Sequence, residues 1–484
     1  VQQTTIIKLY VFTALFIAAS MFFTYHDSFL IHAIPFIIAF VLLTFFSLRH
    51  TMLLLVFCVP FSIELSVLVP NTSFDMSLPT EPLLFGIMGI FFLKLLTERT
   101  FDKRVLTHPV SICIYVYLLW LVLTTITSEM PFVSFKYLLV RMWFIVTFYF
   151  LVTQLVHDKT YISKYIWAYT FGLLIVIAIT IIKHANHGFT QKAGHFVMHP
   201  FFNDHTSYGA ALAMILPAIL ILRRFTKNSF NVRFIHMCVI GIILIALVLS
   251  YTRAAWGSVV IIAGIWLMIT LGIKLRSFIF IGVLSIAIVL PFAHDIQIAL
   301  TKNDEVSSTD FTSHVKSMSN ITTDASNLER INRWNCALQM FQERPVFGWG
   351  PGTYMFLYAP FQHSKDRTII STNAADLGNA HSEYLGLLSE AGLMGMLSFI
   401  FIILVTVYVA FNLYHNTSNE FYKQISLFLI LGLITYYIHG FLNNFLDTDK
   451  IAALFWAYTA IIVSCDIDEK EKRKEKNIAN TSSL

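Results

Sequence analysis

The sequence predicts an all-α integral membrane protein with about 12–14 transmembrane helices and one large helical loop on the outer face. Three observations predict it. Hydrophobic residues make up 57% of the chain and charged residues only 13%, whereas a soluble domain carries roughly a quarter charged residues. About fourteen apolar runs approach the roughly 20 residues needed to cross about 30 Å of hydrocarbon. Lys and Arg gather in alternate short loops, as they do on the cytoplasmic side of multispanning proteins.

The apolar runs lie near residues 6–25, 29–47, 51–69, 79–97, 109–127, 137–156, 164–183, 206–222, 233–252, 255–273, 277–293, 385–411, 421–441 and 450–465. The run at 51–69 contains Pro60 and Glu64 and is the weakest. The first run follows Lys8 and continues to Tyr25, longer than the apolar core of about 7–15 residues in a cleaved signal peptide. It reads as a retained first helix, although the sequence opens on Val1 rather than Met. The chain divides into an N-terminal set of spans at 1–293, an outer loop at 294–384, C-terminal spans at 385–465 and a charged, solvated tail at 466–484.

Orientation follows from the loops. One alternate set holds Arg49, then Arg99, Lys103 and Arg104, then Lys159 and Lys164, then Arg223, Arg224 and Lys227, then Lys274 and Arg276. The tail adds Lys470, Lys472, Arg473, Lys474 and Lys476. The opposite short loops hold few: Lys136, Lys183, Lys192 and Lys450. The first set is therefore cytoplasmic, with both termini inside and residues 294–384 outside. Five cysteines, Cys58, Cys113, Cys238, Cys336 and Cys465, show no CxxC spacing, which argues against a disulfide framework or a zinc site. No metal, cofactor or nucleic acid is expected.

A loop of about 90 residues in a compact protein is usually functional. Ser326-Asn327-Leu328-Glu329 reads as a capping box that opens a helix from Leu328 to about Arg344, stopped by Pro345. Leu328, Ile331, Trp334, Leu338 and Phe341 would form its apolar face, with Arg330 and Arg333 turned to a cleft. Gly348-Trp349-Gly350-Pro351-Gly352 is a tight turn, either a structural corner or the border of a phosphate or sugar site. Asn379 is a candidate N-cap that would put His381 in the first turn of the next span. The positive helix end would keep that imidazole neutral, as a general base must be.

Arg253 falls at the outer face between two spans, against the trend of the other cations. It either snorkels to headgroups or holds an anion. Lys136 and Arg141 lie similarly near a span start, and the polar run Phe202-Asn203-Asp204-His205 opens another. Several outward cations beside a neutral histidine point to one anionic ligand, and a lipid-linked diphosphate fits both depth and charge.

These stretches carry a family resemblance. Arg330-Ile331-Asn332-Arg333-Trp334, Pro345 to Tyr354, Asn379-Ala380-His381-Ser382-Glu383-Tyr384-Leu385 and Glu390-Ala391-Gly392-Leu393-Met394-Gly395 resemble the signature of the O-antigen ligase and polymerase superfamily. Ser250-Tyr251-Thr252-Arg253 resembles its intramembrane arginine motif, and Phe202 to His205 another of its recurrent stretches. The series spans roughly residues 200–396, while the N-terminal half adds only hydropathy. The resemblance implies a multispanning, metal-independent glycosyltransferase of the bacterial inner membrane, with its active site facing the periplasm. Its donor would be a glycan on undecaprenyl diphosphate. Its acceptor would be a sugar of the lipid A core for a ligase, a second lipid-linked unit for a polymerase, or a protein. By motif position Arg253 and Arg330 would bind the diphosphate and His381 would activate the acceptor hydroxyl, with Arg333 an alternative to Arg330. Arg333, Glu383, Tyr384, Lys136, Arg141, Asn203, His205, Trp349 and Tyr354 are the candidate substrate-binding residues.

Direct displacement would invert the anomeric centre. Glu383 and Glu390, seven residues apart on one helix, would be separated by about 10 Å, twice the spacing of a retaining carboxylate pair. A transporter or flippase is the competing class. It commonly shows internal repeats and a midplane site, and no repeat is visible here.

Overall fold

A computed structural model describes residues 2–25, 33–69, 76–98, 101–156, 158–226, 229–272, 325–362 and 378–482. The expected span at 277–293, and the loop residues at 294–324 and 363–377, lie outside the described residues. What is described is almost wholly helical, with one two-stranded ribbon. The long helices are α1 Gln2–Tyr25, α2 Ala33–Phe46, α3 Leu48–Cys58, α4 Thr80–Glu98, α5 Pro109–Ile126, α6 Pro131–Leu155, α7 Lys159–Asn186, α8 His205–Leu222, α9 Phe230–Leu249, α10 Arg253–Thr270, α11 Ala325–Glu343, α12 Glu383–Asn416, α13 Glu420–His439 and α14 Asp449–Ser482. Among the described residues, 10 helices are long and apolar enough to cross a membrane.

Composition explains the layering. Phe, Leu and Ile side chains on α1, α9 and α10 stand exposed, as suits a surface facing lipid rather than water. The most enclosed spans are α8 and α14. Ala210, Ala211 and Ala213 on α8, and Ala452, Ala453, Ala457 and Ala460 on α14, are buried. Small residues let helices approach closely where no hydrophobic effect drives them together.

The run at 51–69 is not one helix. α3 passes into a 3-10 turn at Val59–Phe61, which contains Pro60, and then into a strand, β1 Ile63–Glu64, paired antiparallel with β2 Ser77–Leu78. Leu48–Phe61 covers roughly 21 Å at 1.5 Å per residue. Pro60 removes a backbone donor, so the helix cannot continue. At the other end of the chain, α14 runs on as helix to Ser482. The tail expected to be solvated is helical, and Asp466, Ile467 and Glu469 are buried before the exposed stretch begins.

The basic loops meet at one end of the bundle. Arg49 pairs with Asp158 at 3.0 Å, Arg104 with Glu471 at 2.6 Å, Arg224 with Glu420 at 3.2 Å and Lys470 with Asp466 at 2.7 Å. The outer loop, the ribbon and residues 440–449 gather at the opposite end.

Candidate functional site

The loop helix α11 begins by Ala325, earlier than the expected capping box, so Ser326 lies within it. Its inward face also differs from the expected stripe. Leu338 is exposed, while Asn332, Arg333, Cys336, Ala337 and Met340 are buried. Cys336, Ala337 and Met340 pack with Tyr354, Tyr358 and Ala380 into a separate small core. Small side chains on α11 let the two tyrosine rings close over it, and periodicity alone cannot tell which neighbour will fill a groove.

The glycine-rich turn is a corner that docks on a break in α12. Gly348, Gly350 and Gly352 have φ of 66°, 113° and 76°, and Gly392 interrupts α12 at φ 69°. The Leu393 amide donates to the Pro345 carbonyl at 3.0 Å, Trp349 N–H to the Ser389 carbonyl at 3.1 Å and Gly350 N–H to the Glu390 carbonyl at 2.8 Å. Glu390 accepts from the Tyr354 amide at 2.9 Å. Trp349 itself is anchored: its indole N–H donates to the Met340 carbonyl at 2.9 Å, and the Arg344 guanidinium covers its ring at 4.1 Å.

The cap of α12 is Ser382, which accepts from the Leu385 amide at 3.3 Å, rather than Asn379. Asn379 instead accepts the His381 amide at 3.0 Å. His381 therefore sits just before the helix, in left-handed backbone at φ 48°. That conformation is uncommon for a non-glycine residue and clusters at functional sites. The Trp334 indole holds the His381 carbonyl at 3.2 Å. Among the described residues neither ring nitrogen of His381 has a hydrogen-bond partner. Burial first, and then the charges of Arg330 and Arg333, lower its pKa from 6.5 to about 4. Desolvation and the two guanidinium groups thus favour the neutral imidazole.

Arg330 and Arg333 have different surroundings. Arg333, 5% exposed, pairs with Glu329 at 2.7 Å, and its guanidinium lies over the Tyr358 ring at 4.0 Å. Its carbonyl accepts from the Tyr354 hydroxyl at 2.8 Å. Arg330 is less enclosed and donates from Nε to the Leu442 carbonyl at 3.3 Å. Its charge acts on His381, His205 and His439.

His205 opens α8 behind the N-cap Asp204, which accepts from Ser207 N–H at 2.7 Å. Its ring stacks on His195 at 4.2 Å, and it feels the charges of Arg330 and Arg253. Arg253 opens α10. The preceding residue, Thr252, donates to the His205 carbonyl at 2.7 Å. Gly209 makes that approach possible, since a Cβ there would fall 2.7 Å from the Thr252 side chain. Arg330, on α11, acts electrostatically on both His205 and His381, and Arg253 on His205, so these residues, widely separated in sequence, gather near the starts of α8, α10 and α12.

Beside this group lies a cavity of about 310 Å³ lined by Tyr137, Asn203, Gly352, Tyr354, Asn379, Ser382, Glu383, Glu390, Asn444 and Asp447, among others. Glu383 and Glu390 line the same cavity. Glu383 is already engaged, accepting from the Leu446 amide at 2.8 Å and from the Tyr436 hydroxyl. Asn203 lines the wall and donates to Glu64 at 2.8 Å.

Two other candidates hold the frame, and a third stands at the surface. Arg141, 2% exposed, pairs with Asp447 at 2.7 Å and donates to the Leu446 carbonyl at 3.1 Å, beneath the cavity. Tyr384 donates to the Tyr437 carbonyl at 2.9 Å. Lys136 stands exposed on α6.

The segment at 440–449 was not singled out by sequence beyond Lys450. It is the hub of the site. Gly440 accepts the Glu383 amide at 2.8 Å, Leu442 accepts Arg330, Leu446 and Asp447 hold Arg141, and Asn444 lines the cavity. Asn443, Asn444 and Asp447, crowded between two spans, were the available signal.

The O-antigen ligase family model matches residues 236–400, from within α9 to within α12, and so takes in Arg253, Arg330, Arg333 and His381. The match supports membership of the O-antigen ligase and polymerase superfamily. No curated protein matches the chain.

Proposed function

We propose that this member of the O-antigen ligase and polymerase superfamily is a ligase, which moves a glycan from undecaprenyl diphosphate to a sugar of the lipid A core at the periplasmic face of the inner membrane. The observation that supports the reading is the reach of the Arg330 charge to both His381 and His205, and of Arg253 to His205, from distant segments beside a cavity of about 310 Å³. Guanidinium groups bind phosphate oxygens and stay charged at any working pH. The family match over residues 236–400 supports the substrate class.

The acceptor sugar occupies the cavity, where Asn203, Asn444 and Glu390 offer hydrogen-bonding groups and Tyr137 and Tyr354 offer ring surface. Its hydroxyl oxygen attacks the anomeric carbon of the donor sugar. The hydroxyl proton passes to a ring nitrogen of His381. The bond from the anomeric carbon to the diphosphate oxygen breaks, and its electron pair leaves with undecaprenyl diphosphate. Arg330 and Arg253 stabilise the charge that develops there, a role worth most where donors are fixed before the reaction. Attack opposite the leaving group inverts the anomeric centre.

The test is transfer by purified protein supplied with lipid-linked glycan and either core lipid or a second lipid-linked unit. Glycan on the core lipid supports a ligase. Elongated lipid-linked glycan alone makes the protein a polymerase. Wild-type transfer in Arg253→Ala, Arg330→Ala and His381→Ala, each inserted normally, refutes the mechanism.

A further inference from the structure

We infer that a basic pocket at the opposite end of the bundle from the transfer site binds the phosphate headgroup of an anionic glycerophospholipid. The pocket, of about 810 Å³, opens where α7, α13 and α14 meet the end of α12, and Lys159, Lys472, Arg473 and Lys476 line it with only Glu469 and Glu475 opposing them. Glu469 is already engaged, accepting from the Thr417 hydroxyl at 2.8 Å and from Arg473 Nε at 3.2 Å. Arg473 also donates to the Asn416 carbonyl. Among the described residues Lys159, Lys472 and Lys476 have no carboxylate within ion-pair distance.

Two of these ammonium groups are held in place. Lys159 lies 5.3 Å from the Phe421 ring centre and Lys472 lies 5.0 Å from that of Tyr422. Both rings belong to the first turn of α13, whose amides Asn419 caps at Phe421 and Tyr422. Lysines that serve only to orient the spans need no concave wall and no aromatic support. A concave surface with excess positive charge at the membrane boundary suits a headgroup whose acyl chains stay in the bilayer. Free phosphate shares the headgroup's charge but gains nothing from the adjoining lipid-facing surface.

Purified protein is reconstituted into phosphatidylcholine vesicles with or without phosphatidylglycerol, and thermal unfolding is followed. Phosphatidylglycerol raises Tm by several degrees, by linkage to the folded state, and the rise shrinks at high salt. K472Q/K476Q removes the rise while leaving Tm in phosphatidylcholine unchanged, and K159Q, on a different helix, reduces it. Inorganic phosphate leaves Tm where it was. An equal rise in the double variant, a rise reproduced by inorganic phosphate, or no rise in the wild type overturns the inference. Glycan transfer is not the readout, so the proposed activity stands or falls separately.

Discussion

Arg330 and Arg333 lie one turn apart on α11, and their neighbours assign them different work. Arg333 is enclosed with Glu329, each about 6% exposed in its side chain. Removing one partner of such a buried pair costs about 3–5 kcal/mol, because the other charge is left without compensation. Arg333→Ala should therefore lower Tm sharply in detergent. Arg330→Ala should leave Tm nearly unchanged and reduce kcat by about 10²–10³, the range for loss of one preorganised donor. His381 predicts a pH profile. With its pKa lowered from 6.5 to about 4, the base form persists through the neutral range, and kcat/KM should fall only as pH approaches about 4. Bound diphosphate offsets the repulsion from Arg330 and Arg333, so the inflection in kcat should lie higher than that in kcat/KM. Stability follows the same group. Above 6.5 its contribution is complete, and it is lost as pH falls towards about 4, because the unfolded chain takes up a proton that the folded site refuses.

At the scale of elements, the corner at 345–352 and the break in α12 depend on each other. A Cβ on Gly392 would lie 2.1 Å from the Val346 carbonyl oxygen, and that residue has φ 69°. With ψ −172° that residue sits in a region essentially confined to glycine, so Gly392→Ala meets a backbone penalty of about 1–3 kcal/mol and must also displace the corner. Faster proteolytic cleavage within 345–352 and a lower Tm are the expected results. Cleavage at the wild-type rate would show that the corner holds without the break. Sequence made this corner visible, because Pro351 and three glycines in five residues allow little else. The cap of α12 was harder to place, since Asn379 and Ser382 are both good caps, three residues apart. In the fold Asn379 turns the chain at His381, whose carbonyl the Trp334 indole holds, and Ser382 is left to cap the helix. The ribbon at 63–78 left a partial trace, in that Pro60 and Glu64 weakened the run without saying what replaced it.

Over the whole molecule, the spans were legible because twenty apolar residues have one stable way to cross lipid. The hub at 440–449 was not, because its residues act through partners from tens to hundreds of positions away and form no motif among themselves. Asp449 shows the consequence. It is 1% exposed and accepts from Ser62 Oγ at 2.6 Å, from Thr80 Oγ1 at 2.5 Å and from Lys450 Nζ at 3.1 Å. Ser62 follows α3 and Thr80 opens α4, so one carboxylate fastens the N-terminal helices to the first turn of the last span. Asp449→Ala would strip the Lys450 ammonium, itself 8% exposed, of its carboxylate and leave it only the Ser62 hydroxyl at 2.7 Å, while Ser62 and Thr80 fall back on the Val59 and Ser77 carbonyls. Losing one partner of a buried ion pair costs about 3–5 kcal/mol. Asp449→Asn keeps an oxygen for Ser62 and Thr80 but brings no charge to Lys450, so its loss should be smaller. Thermal unfolding of the two variants checks the order. If the Ala variant matches wild type, the Asp449 contacts add nothing to the joint between the N-terminal helices and the last span. If Asn costs as much as Ala, the charge on Lys450 outweighs both hydroxyl bonds.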